Sequence, residues 1–181
     1  MLVRHIEELS GKFAAIISSQ TTYVILKVNG CELRVNFHNK QEFVLKRKEV
    51  GNLDYLVDHP LLKDYNEQSV SIYINSKPKD LAKLNIDIQA SIDESMQGWR
   101  NWKDYVTSKS SRLSIETFTN NLLSGSGRIF EGPSSVASKV TEVCEKHNVL
   151  TKSFVSIPKQ NQFKLLLIGN NYVIAEEFKI I

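Results

Sequence analysis

The sequence predicts an α+β fold: an N-terminal antiparallel hairpin or meander, central helices, and a C-terminal β-α-β-β-β unit. Three observations point to it. Asn29-Gly30 separates two strand-patterned runs, and both residue types tolerate the positive φ of a tight hairpin turn. Apolar residues recur at helical spacing from Leu81 to Met96. Gly169-Asn170-Asn171 joins two further apolar runs. Strands and helices mix without regular βαβα alternation, which separates α+β from doubly wound α/β. The expected organisation is a single domain over residues 1–181. The alternative division is two subunits of fold sharing a core, 1–76 and 113–181, joined by helices within 78–107.

Taken in order, Phe13 to Ile17 is a short apolar run and Tyr23 to Val28 is β-branched and apolar. Cys31 to Phe37 alternates, so Cys31, Leu33, Val35 and Phe37 are expected inside, with Glu32, Arg34 and Asn36 in water. Phe43-Val44-Leu45 leads into the basic run Lys46-Arg47-Lys48, read as a solvated loop or edge. Asn52 suits the N-cap of a short helix through Leu53, Leu56 and Val57, which Pro60 would end. Val70, Ile72 and Ile74 form one face of a strand.

Ser76 and Pro78 open the longest helix pattern, expected over 79–96 with Leu81, Leu84, Ile88, Ile92 and Met96 in one stripe. Gly98 interrupts it, and Trp99, Trp102 and Val106 resume at i, i+3 and i+7. Ser114 suits the cap of a helix burying Ile115, Phe118 and Leu122, with Gly125 past its end. Arg128 to Glu131 reads as a strand, and Gly132-Pro133-Ser134 as a turn into a helix. On that helix Val136, Val140, Val143, Cys144 and His147 share a face. Phe154 to Ile157, Phe163 to Ile168 and Tyr172 to Phe178 read as strands.

The 181 residues are 41% hydrophobic and 24% charged, ordinary for a globular chain and too apolar for a disordered one. A chain of this length buries roughly 70% of the surface its unfolded form exposes, enough for a core without disulfides or metals. Net charge is +3, spread evenly, with 17 Lys against 6 Arg among the 23 basic residues. That excludes a concentrated electrostatic footprint for DNA. Two cysteines, Cys31 and Cys144, are too few for a disulfide framework and are expected as buried free thiols in a reducing compartment. No secretory apolar core opens the sequence, and no apolar run approaches the ~20 residues of a membrane-spanning helix. The expectation is a cytoplasmic protein with no membrane partner.

Several stretches invite a chemical reading. Ser124-Gly125-Ser126-Gly127-Arg128 has phosphate-loop composition, but it follows a helix and opens a strand, the reverse of a dinucleotide fingerprint. A helix C-cap and connector is expected there. Gly132, Ser134 and Ser135 lie between a strand and a helix, where free N–H groups hold an anion or the serines cap the helix. Cys144 and His147 stand at i, i+3, but structural zinc takes four ligands, so neither a metal nor another cofactor is expected. The adjacent carboxylates Glu7-Glu8, Asp93-Glu94 and Glu176-Glu177 read as surface charge, and no catalytic residue is assigned.

Trp99-Arg100-Asn101-Trp102-Lys103-Asp104-Tyr105 is the most unusual stretch. Interleaved aromatics and cations serve protein hot spots or stack single-stranded nucleic acid, and tryptophans one turn apart also anchor a helix in its own core. At least one of the two tryptophans is expected in the core. As a binding surface, the segment offers Trp99, Arg100, Trp102, Lys103 and Tyr105. The function expected is a non-catalytic intracellular protein-binding module, of the class of small bacterial regulators and toxin-neutralising immunity proteins, with a protein partner. The alternatives are a nucleic-acid-binding protein using Trp99–Tyr105, disfavoured by the charge, and an enzyme whose active site is dispersed along the sequence.

Overall fold

The structure, a computed structural model, describes residues 5–45, 50–107, 114–156 and 162–181. The basic run Lys46-Arg47-Lys48 lies outside the described residues. In chain order the strands and helices are β1 (Lys12–Ser19), β2 (Tyr23–Val28), β3 (Cys31–His38), β4 (Glu42–Val44), β5 (Val50–Leu56), α1 (Pro60–Asn66), β6 (Ser69–Ile74), α2 (Leu81–Met96), α3 (Lys103–Val106), α4 (Ile115–Ser124), β7 (Gly127–Pro133), α5 (Ser134–Lys146), β8 (Thr151–Val155), β9 (Lys164–Ile168), β10 (Asn171–Ala175) and β11 (Glu177–Ile180). A 3-10 turn, Ile6–Leu9, precedes β1. The class is α+β with antiparallel sheets, an N-terminal meander and strands after the helices, as the sequence predicts.

The chain folds as two compact units, one of residues 1–62 with 161–181 and one of residues 63–160. The second is therefore an insertion in the first. The sequence-based alternative placed its boundaries at 76 and 113 instead.

The first unit is a closed antiparallel barrel. Its hydrogen-bonded order is β11-β3-β2-β1-β5-β9-β10-β4. The two ends of that order are one continuous ladder, because β3 runs into β4 and β10 runs into β11. Tyr172↔Val44 to Ile174↔Glu42 continues as Glu177↔His38 to Ile180↔Val35. The junction carries its own ladder bonds, Gln41 N–H to Ile174 O (2.8 Å) and Glu176 N–H to His38 O (3.1 Å). The β3–β4 side has one extra residue there, and Asn39 absorbs it at φ 48°, a bulge that bends the strand around the corner. Closure gives the long strands β1, β2, β5 and β9 a partner on each side. The interior holds Ala14, Ile16, Val24, Leu26, Val35, Leu53, Leu166, Ile168 and Val173, and Ile6 and Leu9 join it from the 3-10 turn.

Asn29 and Gly30 close β2 onto β3 at φ 49° and 83°, as a type I′ turn requires. Val35 and Phe37 are buried, but Cys31 is exposed and Leu33 half-buried, since the hairpin end of β3 runs past the core. The helix expected after Asn52 is strand β5. It pairs with β1 on one side and β9 on the other, and Leu53 is buried. Leu53, Leu56 and Val57 have helical spacing by coincidence; two ladders outweigh so short a pattern. At Gly51 a Cβ would lie 2.6 Å from the backbone N of Gly169, so the β5–β9 seam admits only glycine. Pro60 starts a helix instead of ending one. The first turn needs no proline N–H, and His59 Nδ1 accepts from Leu61 N–H (3.2 Å). The second hairpin has a two-residue loop, Gly169-Asn170. Asn171 is already in β10, and the expected strand from Tyr172 to Phe178 is broken at Glu176.

The second unit is a three-stranded antiparallel sheet, ordered β7-β6-β8, covered on one face by helices. Val70, Ile72 and Ile74 of β6 meet Leu84, Ile88, Ile92 and Met96 of α2, Phe118 and Leu122 of α4, and Val136, Val140 and Cys144 of α5. The α2 stripe is as predicted, with Leu81 packed at its margin. Asp80 caps α2 by accepting from Lys83 N–H (3.0 Å), and Ser114 caps α4 by accepting from Thr117 N–H (3.1 Å). Ile115, expected inside, is exposed. Gly125 ends α4 at φ 71°. The elements after α4 do follow the predicted order, but they divide: β7, α5 and β8 belong here, whereas β9 to β11 complete the barrel. No helix among the described residues is long and apolar enough to cross a membrane.

Candidate functional site

The Trp99–Tyr105 segment does not continue α2. Gln97 and Gly98 both take positive φ (51° and 76°), which turns the chain, and α3 is a single turn. Asp93 then accepts Trp102 N–H (2.9 Å) and Asp104 accepts Asn101 N–H (3.1 Å), holding the turn closed. Tyr105 is buried and stacks on Phe130 with ring centroids 5.9 Å apart. Its hydroxyl donates to the Asp64 carboxylate (3.0 Å), and Arg100 Nε donates to the same group (3.2 Å). Burial, reinforced by the charge of Asp64, drives the Tyr105 hydroxyl far above its ordinary pKa. Trp102 packs against the core, 6.2 Å from the Phe118 ring. Trp99 and Arg100 are half-buried, and only Lys103 is exposed. Of the five predicted residues Tyr105 is thus buried and Trp102 packs on the core, and Asp64, far away in sequence, completes the cluster.

The predicted anion position exists, and the chain fills it. The Glu67 carboxylate accepts from Ser135 N–H (2.7 Å), Ser135 Oγ (2.8 Å) and Ser134 Oγ (3.2 Å) at the start of α5. Neither serine caps the helix by its own side chain; Glu67 does so from outside. Gly132 lies against Tyr105, whose ring carbon would be 2.6 Å from a Cβ there. The glycine thus makes room for an aromatic ring.

Cys144 is buried, and burial pushes its thiol up to about 11, away from the reactive thiolate. His147 turns instead to α2, with Nε2 2.8 Å from Asp87 Oδ2. The pair lines a groove of about 640 Å³ between α2 and α5, together with Lys63, Glu94, Lys139 and Glu142. Lys139 pairs with Glu142 (3.1 Å), and Lys63 Nζ donates to the backbone carbonyl of Ser95 (3.2 Å). At the barrel, a depression of about 390 Å³ lies among His5, Glu7, Tyr55 and Lys164. Burial raises the Tyr55 pKa there. Among the described residues no three His, Cys, Asp or Glu side chains gather as a metal site.

The sequence predicts a strand from Phe154 to Ile157; it forms at Thr151–Val155 as β8, with Ile157 outside the described residues, and what sequence reasoning missed is its place at a sheet edge. Among the described residues β8 pairs only with β6. Leu150 is 68% exposed, Phe154 51% and Val155 60%. Asn75 N–H bonds to Leu150 O and Ser156 N–H to Ser69 O, both 2.8 Å, so even-numbered residues face β6. By antiparallel alternation, Thr151, Ser153 and Val155 turn their backbone N–H and C=O groups outward. Phe154 lies edge-on to Tyr73 (5.4 Å), and Lys152 Nζ is 5.0 Å from the Phe154 ring. The available signal was the adjacency of Phe154 and Val155, which gives this strand no single apolar face. No family model matches the chain, and no match was found among curated proteins or solved structures.

Proposed function

We propose that the chain is a non-catalytic protein-binding module that receives an extended polypeptide segment at β8. The exposed apolar edge of that strand supports the reading. An unprotected edge is an aggregation hazard, commonly blunted by proline, a bulge or charged side chains, of which β8 carries one, Lys152. β8 has no bulge against β6 and carries apolar side chains beside open backbone groups. An incoming strand would bond to Thr151, Ser153 and Val155 and lay side chains against Phe154 and Val155, the mode of strand addition. Within that class, a regulator or toxin-neutralising inhibitor is the reading we favour, since both act by occupying another protein's surface. The free thiols of Cys31 and Cys144 support an intracellular setting.

Ser153→Pro tests this. Its N–H points away from β6, so proline removes an outward donor while sparing the β6 ladder. Immobilised wild-type chain is expected to retain a specific protein set that the proline variant loses by tenfold or more. Equal retention by both overturns the reading.

A further inference from the structure

We infer that the strand received at β8 is β8 of a second copy, in an antiparallel pair centred on Ser153. This rests on the strand-receiving reading above and names the occupant. Two identical strands pair through a two-fold axis, so each register sets residues opposite their own sequence in reverse. The outward-facing residues are Thr151, Ser153 and Val155. Only the register centred on Ser153 uses all of them, with Ser153 opposite Ser153 of the second copy and Thr151 opposite its Val155. A shift centred on Lys152 leaves Val155 unpaired and faces two ammonium groups, a destabilising like-charge pair. A shift centred on Phe154 leaves Thr151 unpaired.

The side chains favour the same register. Lys152 and Phe154 project on the face that carries Tyr73, as the Tyr73–Phe154 ring contact shows. With Ser153 at the centre, Lys152 stands opposite Phe154 of the second copy in a non-hydrogen-bonded pair, where side chains approach closest. Its ammonium, already 5.0 Å from its own Phe154 ring, then lies between two rings. The contact occurs twice by symmetry. On the other face Thr151 meets Val155, a β-branched pair that suits a sheet. The strand's lone charge is thus satisfied by an aromatic ring instead of repelling the second copy.

The test is the mass of the full chain in solution by analytical ultracentrifugation at micromolar to high-micromolar concentration, with circular dichroism to verify folding. The wild-type is expected to dimerise, and Ser153→Pro and Phe154→Ala to weaken the dimer by tenfold or more. In a Cys31→Ser background, Ser153→Cys is expected to form an inter-chain disulfide under mild oxidation, because paired Cα atoms in this register lie ~5.5 Å apart. Ser156→Cys, opposite residue 150 in this register, is expected to remain reduced. A monomeric wild-type without the 153–153 crosslink overturns the self-pairing, as does a dimer that Ser153→Pro leaves intact. The two readings separate cleanly: a monomer that still retains proteins lost by Ser153→Pro keeps strand reception and discards the second copy as occupant.

Discussion

The barrel and the three-stranded sheet solve the same problem differently. In the barrel the ring closes, because the bent β3–β4 segment pairs with β10–β11; among the described residues only the short end segments β4 and β11 have a single neighbour. In the inserted unit the sheet stays open, and its two edges are unequal. The β7 edge has a register shift at Ile129 and is packed by α3, α4 and α5. The β8 edge has no register shift against β6, and among the described residues α5 is the only helix that packs substantially against it. Closure or cover makes a strand's stability internal to the chain, whereas an open apolar edge leaves part of it to be completed by another strand.

Four substitutions sharpen that contrast. The largest effect is expected from Gly51→Ala in the barrel seam, where the added Cβ meets the backbone of Gly169. Backbone on both sides cannot yield, so the loss should reach about 3 kcal/mol, the upper range for overpacking, in a urea titration. A loss below about 1 kcal/mol would show that the seam opens easily. Glu67→Ala in the inserted unit should cost about 1–2 kcal/mol in the same measurement, since the first turn of α5 loses the carboxylate that accepts Ser135 N–H. An unchanged midpoint would mean that water replaces the carboxylate at no cost.

Tyr105→Phe is read through pH. The folded-state pKa of Tyr105 is raised, so the native state holds its proton more tightly than the unfolded chain. The corresponding stability is complete below the ordinary tyrosine value of 10.0 and declines as pH rises above it. Wild-type stability should fall faster than that of Tyr105→Phe above that pH, measured as urea midpoints across an alkaline series. Parallel curves would refute the raised Tyr105 pKa, which burial causes first and the Asp64 carboxylate reinforces. The smallest effect on monomer stability belongs to Phe154→Ala at the open edge, within about 1 kcal/mol, the range of a cross-strand aromatic contact such as the one it makes with Tyr73. A substantial loss measured at a concentration where the chain is monomeric would make Phe154 a structural residue instead of a contact residue.

Legibility followed the range of the interactions. The Asn29-Gly30 hairpin, the α2 stripe and the caps at Ser114 and Gly125 were readable because each depends on residues within a turn or two. The Trp99–Tyr105 segment was readable as unusual but not as a site. Its inward orientation depends on Asp64 and Phe130, residues that no local pattern links to it. At Ser134 and Ser135 the sequence offered an anion site or a serine cap; the carboxylate found there, Glu67, comes from 67 residues away, beyond any local pattern.

By itself the sequence determined the α+β class, most elements and the apolar stripes, since strand and helix periodicities are local properties of the chain. Tertiary structure decided which sheet each strand joins. It made Val50–Leu56 a strand through two ladders, split β9–β11 from β7–β8, and joined the ends of the meander into a barrel. It also decided which edge stays open. A strand pattern looks the same whether its second neighbour is another strand, a helix or water, and only the folded chain supplies or withholds that neighbour.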